Sequence, residues 1–221
     1  MELDSHVMLR LAHLVLFAYW LGADLGVFMG GGYMSRPGLP MADRNQIRKF
    51  VMDIDLAPRI ALVAMLPVGF QLSLEWGAPV AAAWLPAIWV AAALWIAAVI
   101  WIHFVHHVPM VSRVIKVDLI LRYLLMVVLA VTGVRILLGA AGDVPAWLGV
   151  KLLVFALILI VGIVLRRVAA QWYPAMERFA AGDEAGGQAL LNARRSKAKI
   201  TALIMWALVA VAAVLGAIKP F

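Results

Sequence analysis

The stretch A-H-L-V-L-F-A-Y-W-L-G-A-D-L-G-V-F, residues 12–28, is apolar enough for a membrane helix, yet it carries His13 near one end and Asp24 near the other. A helix needs about 20 predominantly apolar residues to cross a hydrocarbon core. An ionisable side chain inside such a segment is costly enough to suggest a function. Eleven residues separate the two, which is about 16 Å along a helix at 1.5 Å per residue, on nearly the same face.

The rest of the chain supports a membrane setting. Of its 221 residues, 66% are hydrophobic and 14% charged, and the mean hydropathy is +0.99. That lies well outside the range of soluble domains. The sequence therefore predicts an all-α, polytopic membrane helical bundle in a single domain. Its six transmembrane helices are expected near 7–29, 56–74, 81–104, 118–138, 146–166 and 200–218. Pro86 suits a helix start, and Pro58 and Pro67 make the second span irregular at its beginning and middle.

Basic residues sort onto alternate loops. Arg36, Arg44, Arg48 and Lys49 fall in 30–55, Arg113 and Lys116 in 105–117, and Arg167, Arg178, Arg194, Arg195, Lys197 and Lys199 in 167–199. The opposite loops carry Glu75 and Asp143, and the N-terminus carries Glu2 and Asp4. By the positive-inside rule this predicts a multi-pass protein of the cell inner (cytoplasmic) membrane with both termini periplasmic. The formal charge of +7 is then a topology signal, and no nucleic-acid partner is expected. The first apolar run lacks a basic leader and a cleavage site, so it reads as a retained helix. Within 30–55, Q-I-R-K-F-V-M-D-I-D suits a short interfacial helix, and Trp172 and Tyr173 suit interface anchors.

With no cysteine, thiolate ligation and cysteine nucleophiles are excluded, so a cofactor must be held by His, Met, carboxylate or packing. On the predicted topology His13, Arg135 and Lys151 form an outer cluster. Asp24, Arg59, His103, His106, His107, Asp118 and Arg122 form an inner one, in which Asp24 and Arg59 are the expected ion pair. An intramembrane histidine serves as a haem ligand, a metal ligand, a proton carrier or a hydrogen-bonded core residue, and spacing alone leaves these open for His13. Trp20, seven residues on, suits the wall of a planar ligand. Arg135 and Lys151 suit porphyrin propionates, or equally snorkel to head groups. His103 and His107, four apart in H-F-V-H-H, have a spacing compatible with a metal as well as a structural role.

Three motifs resemble a known family. His13 followed after seven residues by Trp20 and then Gly22, the segment W-L-G-V-K-L-L-V-F-A-L-I-L-I-V-G-I-V-L-R-R at 147–167, and the ending A-I-K-P-F at 217–221 are similar to the HemJ-type protoporphyrinogen oxidases and the copper-resistance-D-like membrane proteins. The resemblance implies a HemJ-like four-helix core with a two-helix insertion, 81–104 and 118–138. It also implies a b-type haem with its iron on His13 and Lys151 assisting the site. Where the oxidase would carry a histidine after Trp147 and Leu148, this chain has Gly149.

The function this implies is a membrane-embedded haem protein in electron transfer, or an oxidoreductase acting on a hydrophobic substrate such as a porphyrinogen or quinone. Two other classes stand beside it: a transporter of protons, metal ions or small solutes using Asp24, Arg59 and His103, and an accessory subunit of a larger membrane complex. Expected partners are the lipid bilayer, a hydrophobic substrate or redox partner, and a second copy or other membrane subunits.

Overall fold

A computed structural model describes residues 4–78, 82–105 and 108–220, and every regular element among them is helical. These are α1 (Ser5–Met34), α2 (Met41–Ile54), α3 (Leu56–Leu74), a 3-10 turn at Ala82–Trp84, α4 (Leu85–Phe104), α5 (Met110–Leu137), α6 (Ala146–Ala170), α7 (Trp172–Ala180) and α8 (Glu184–Ile218). The all-α expectation therefore holds. Four stretches, Ser5–Met34, Ala82–Phe104, Ala146–Ala180 and Glu184–Ile218, are long and apolar enough to cross a membrane. The other two expected spans fall on helices α3 and α5, which are not among these four. Helix α3 has 19 residues, with Arg59 and Gln71 among them, and α5 carries Arg113, Lys116, Asp118, Arg122 and Arg135.

Helix α6 packs against α5 and α8, α1 packs against α3 and α2, α3 carries α4 on its other side, and α1 reaches α8. The main core is built from Trp20 of α1, Leu62 and Met65 of α3, Ile158 and Leu159 of α6, and Met205 of α8. Helix α5 adds Leu129, and α4 adds no member. So α1, α3, α6 and α8 form the centre, and the two helices between α3 and α6 lie against it. Val90, Leu94 and Phe104 of α4 and Leu124, Val128 and Val131 of α5 are exposed. Apolar side chains over so much of two neighbouring helices would be a liability in water, and in hydrocarbon they are the ordinary lipid face.

Two ends can be distinguished. At the terminal end, His6 of α1 bonds Glu75 just after α3 at 2.6 Å, and Lys219 after α8 lies 4.2 Å from the Trp76 ring centroid. At the basic end lie α2, α7 and the first turns of α8. Here two boundaries differ from expectation. The G-G-G run, expected to open a loop, is helical, and α1 continues to Met34. Glycine disfavours a helix interior by about 0.5–1 kcal/mol relative to alanine. In this position it admits Arg195, because a Cβ on Gly32 would stand 3.2 Å from the guanidinium Nη2. The basic run expected to be loop is the first half of α8, started by Asp183, whose carboxylate accepts the Gly186 amide at 2.8 Å as N-cap residues do.

Arg44 holds this end together. Only 2% exposed, it donates to the carbonyls of Met34 (2.6 Å), Arg36 (2.8 Å) and Leu39 (3.0 Å) and to Gln188 Oε1 (3.1 Å), and it lies 4.6 Å from the Phe179 ring centroid. One guanidinium thereby satisfies the carbonyls at the end of α1 and ties them to α2, α7 and α8. Burial pulls its pKa below the usual guanidinium value and the Glu184 carboxylate pushes it back up; it stays cationic near neutral pH.

Candidate functional site

The terminal end places two of the expected cluster together. His13 is half-buried, and its Nδ1 is buried with no hydrogen-bond partner. Its ring faces α3 at Gly69, where a Cβ would come 3.6 Å from His13 Cε1. Lys151 of α6 is the charge that bears on His13, and Lys219 is the one that bears on Lys151. The Lys151 ammonium lies against the Gly216 backbone of α8, in the space a side chain would take. Neither lysine has a carboxylate partner among the described residues. His13, Lys151 and Lys219 thus form a cationic corner beside an imidazole nitrogen without a partner.

The other expected members lie elsewhere. Arg135 donates to the Ala140 carbonyl at 3.2 Å and is exposed; a guanidinium near a helix end finds the last carbonyls close by. Trp20 is buried deeper in the bundle, edge-on to Phe155 at 6.4 Å between ring centroids, and lines the cavity at the basic end.

The expected Asp24–Arg59 pair is not made. Arg59 pairs with Asp55, four residues before it, a spacing that brings side chains together on one helix face. The Asp24 carboxylate accepts the Trp206 Nε1–H of α8 at 2.6 Å. His103 meets Asp53 at 3.1 Å in a recess of about 450 Å³ between α2, α4 and α7. His106 and His107 lie outside the described residues. No group of three metal-ligating side chains occurs among the described residues.

Sequence reasoning put Asp118 and Arg122 in the inner cluster but missed that Asp118, 4% exposed, is the centre of a buried group of its own that takes in Arg166 and Trp95. It takes the guanidinium of Arg122 (3.2 Å) and that of Arg166 (2.6 Å) and accepts the Trp95 indole at 2.7 Å. One carboxylate therefore joins α4, α5 and α6. The signals were present as D-L-I-L-R, an i,i+4 acid–base spacing, and as the first of two arginines ending an apolar helix. Trp172, expected at an interface, is 3% exposed and packs with Met34, Ala175 and Leu191.

The basic end also holds a cavity of about 370 Å³ between α1, α2, α3, α5, α6, α7 and α8, with Arg48, Arg59, Arg122, Arg166, Arg194 and Arg195 in its wall. Comparison with protein-family models, with curated proteins and with solved structures found no match.

Proposed function

We propose that the chain is a six-span protein of the cell inner membrane, crossing with α1, α3, α4, α5, α6 and α8 and keeping both termini periplasmic. In this reading it holds a b-type haem on His13 and passes electrons to or from a hydrophobic partner such as a porphyrinogen or a quinone. The orientation is supported by the gathering of basic side chains at the α2 and α7 end.

The observation that carries the haem reading is the lone His13 Nδ1. Buried polar atoms nearly always have a partner, and the charges nearest this imidazole are cations. A metal ion held by carboxylates has no acidic ligands here among the described residues, and a proton path has no acid beside the histidine. A porphyrin suits the surroundings better, since its ring is apolar and its propionates are anions that Lys151 and Lys219 would hold by charge-assisted hydrogen bonds. When bound, the haem would supply one-electron chemistry, and the protein's part is ligation, orientation and tuning by burial and charge.

The test is the optical spectrum of the full-length protein purified from haem-replete cells. A Soret band that shifts on reduction, disappears in His13→Ala and survives in His6→Ala is expected. Colourless wild-type protein, or a band indifferent to His13→Ala, overturns the reading.

A further inference from the structure

Beyond the haem reading, and independent of it, we propose that the cavity at the basic end binds a phosphate monoester, with the arginines on the phosphate and the apolar depth of the cavity on an attached chain.

The charge distribution carries this first. Six arginines of the wall have four carboxylates in or beside the cavity: Asp24, Asp55, Asp118, and Asp53, which lines the adjoining recess and is taken by His103. Asp55 takes Arg59, and Asp118 is shared by Arg122 and Arg166. Arg48, Arg194 and Arg195 have no carboxylate among the described residues. Arg194 donates Nε–H to the Val168 carbonyl at 3.1 Å and lies 4.9 Å from the Trp172 ring centroid. Arg195 stands 4.4 Å from the Phe28 ring centroid, and Arg48 reaches only the Met52 sulfur at 3.3 Å. Aromatic faces, a carbonyl and a thioether position these guanidiniums without neutralising them, and each keeps N–H donors free. All three are half-buried, so water screens them less than it would a surface arginine.

A second observation points the same way. Trp172 lines the cavity, and its buried indole N–H has no hydrogen-bond partner. Guanidiniums that no carboxylate neutralises, lining a cavity, call for an anion. A phosphate monoester carries between one and two negative charges near neutral pH and three acceptor oxygens, and it takes the arginine fork bidentately.

The depth of the cavity supplies the rest. On α1 the wall runs from Met34 to Trp20, on α6 from Ala170 to Ile158, on α8 from Arg194 to Met205, and on α3 from Pro58 to Leu62. Trp20, Leu62, Ile158, Leu159 and Met205, all core residues, form the far end, while Arg48, Arg194 and Arg195 form the near one. A cationic mouth over an apolar floor matches a lipid-borne phosphate monoester from the adjoining leaflet better than a free phosphate, which has nothing to place against the floor.

The experiment uses the full-length protein in mild detergent and reads binding by native mass spectrometry and titration calorimetry. Dioctanoyl phosphatidic acid, inorganic phosphate and dioctanoyl phosphatidylcholine are the three probes. One phosphatidic acid per chain is expected, with Arg194→Gln and Arg195→Gln each weakening it by roughly ten-fold or more, the usual scale for a hydrogen bond to a charged group. Arg113→Gln, exposed on α5 away from the cavity, should leave it unchanged. Ala198→Trp keeps every arginine and fills the cavity, so it should abolish binding in protein that still unfolds cooperatively.

Phosphatidic acid binding at least roughly ten-fold tighter than inorganic phosphate supports the lipid as the source; equal affinities support the phosphate site and assign its occupant to a soluble phosphate. No saturable binding of either, equal weakening by Arg113→Gln, or unchanged binding in Ala198→Trp overturns the proposal, because a diffuse basic surface would then account for the arginines. The Soret band of the haem test is unaffected by any of these outcomes, so the two readings fail separately.

Discussion

Gly133 of α5 and Gly149 of α6 meet backbone to backbone. A Cβ on Gly133 would stand 2.8 Å from the Gly149 carbonyl oxygen, and one on Gly149 would stand 2.9 Å from the Gly133 carbonyl oxygen and 3.0 Å from Ile136 Cγ2. Small residues at a helix crossing let two backbones approach in a membrane, where association depends on packing. The space beside the Gly149 Cα is thus filled by the backbone of a neighbouring helix.

Gly149→Ala and Gly133→Ala should each destabilise the bundle, by about 1–3 kcal/mol as overpacking does. Gly149→His, larger still, should push α5 away. Thermal unfolding of the purified variants in one detergent checks this. A Gly149→His protein as stable as wild type would show that α5 does not occupy that space.

Asp118→Asn should destabilise strongly, since it leaves Arg122 and Arg166 buried or half-buried side by side with their shared anion gone. Breaking a buried ion pair on one side typically costs about 3–5 kcal/mol, whereas replacing all partners with apolar residues is often nearly neutral. The triple variant Asp118→Leu, Arg122→Leu, Arg166→Met should accordingly be more stable than Asp118→Asn alone. Denaturation midpoints of the two proteins decide it.

The helices were readable because a span is announced by composition alone, and α1, α4, α6 and α8 needed nothing more. Partners across helices were not readable. Asp24 and Arg59 share a cavity wall, but Asp55, at the junction of α2 and α3, reaches Arg59 first, and the Trp206 indole reaches Asp24 from a helix 182 residues away in sequence. Pairing by depth ignores which face each helix turns inward, and that is set by packing. His13 and Lys151 did come together because each lies on a central helix at the same end. Arg135 sits on the flanking helix α5 and bonds its own chain.

Arg44→Ala should loosen the basic end more than any exposed arginine there. Its loss removes the donor of three carbonyls and of Gln188 Oε1 at once, and a buried unsatisfied group costs about 1–3 kcal/mol. Lysine cannot present the same fork, so Arg44→Lys should rescue little. Hydrogen exchange should report faster opening around Met34 and at the start of α8, with the α6 core unchanged. Uniform loosening throughout the bundle would show that Arg44 is not a local clamp.

Lys151 and Gly216 offer two ways to move one ammonium. Lys151→Met removes the charge and keeps the side chain's bulk. Gly216→Val leaves the charge but places carbon where the ammonium rests, so the lysine must leave that position. If the cation at this end binds an anionic group beside His13, both variants should weaken retention of the haem by a few-fold, the scale of one partly exposed ion pair at about 0.2–1 kcal/mol. The double variant should then be no worse than Lys151→Met alone, because residues acting through one contact are not additive. Haem occupancy measured by the ratio of Soret to protein absorbance across the four proteins tests this. Additive losses would mean that Gly216 and Lys151 act separately and that the ammonium against α8 is packing alone.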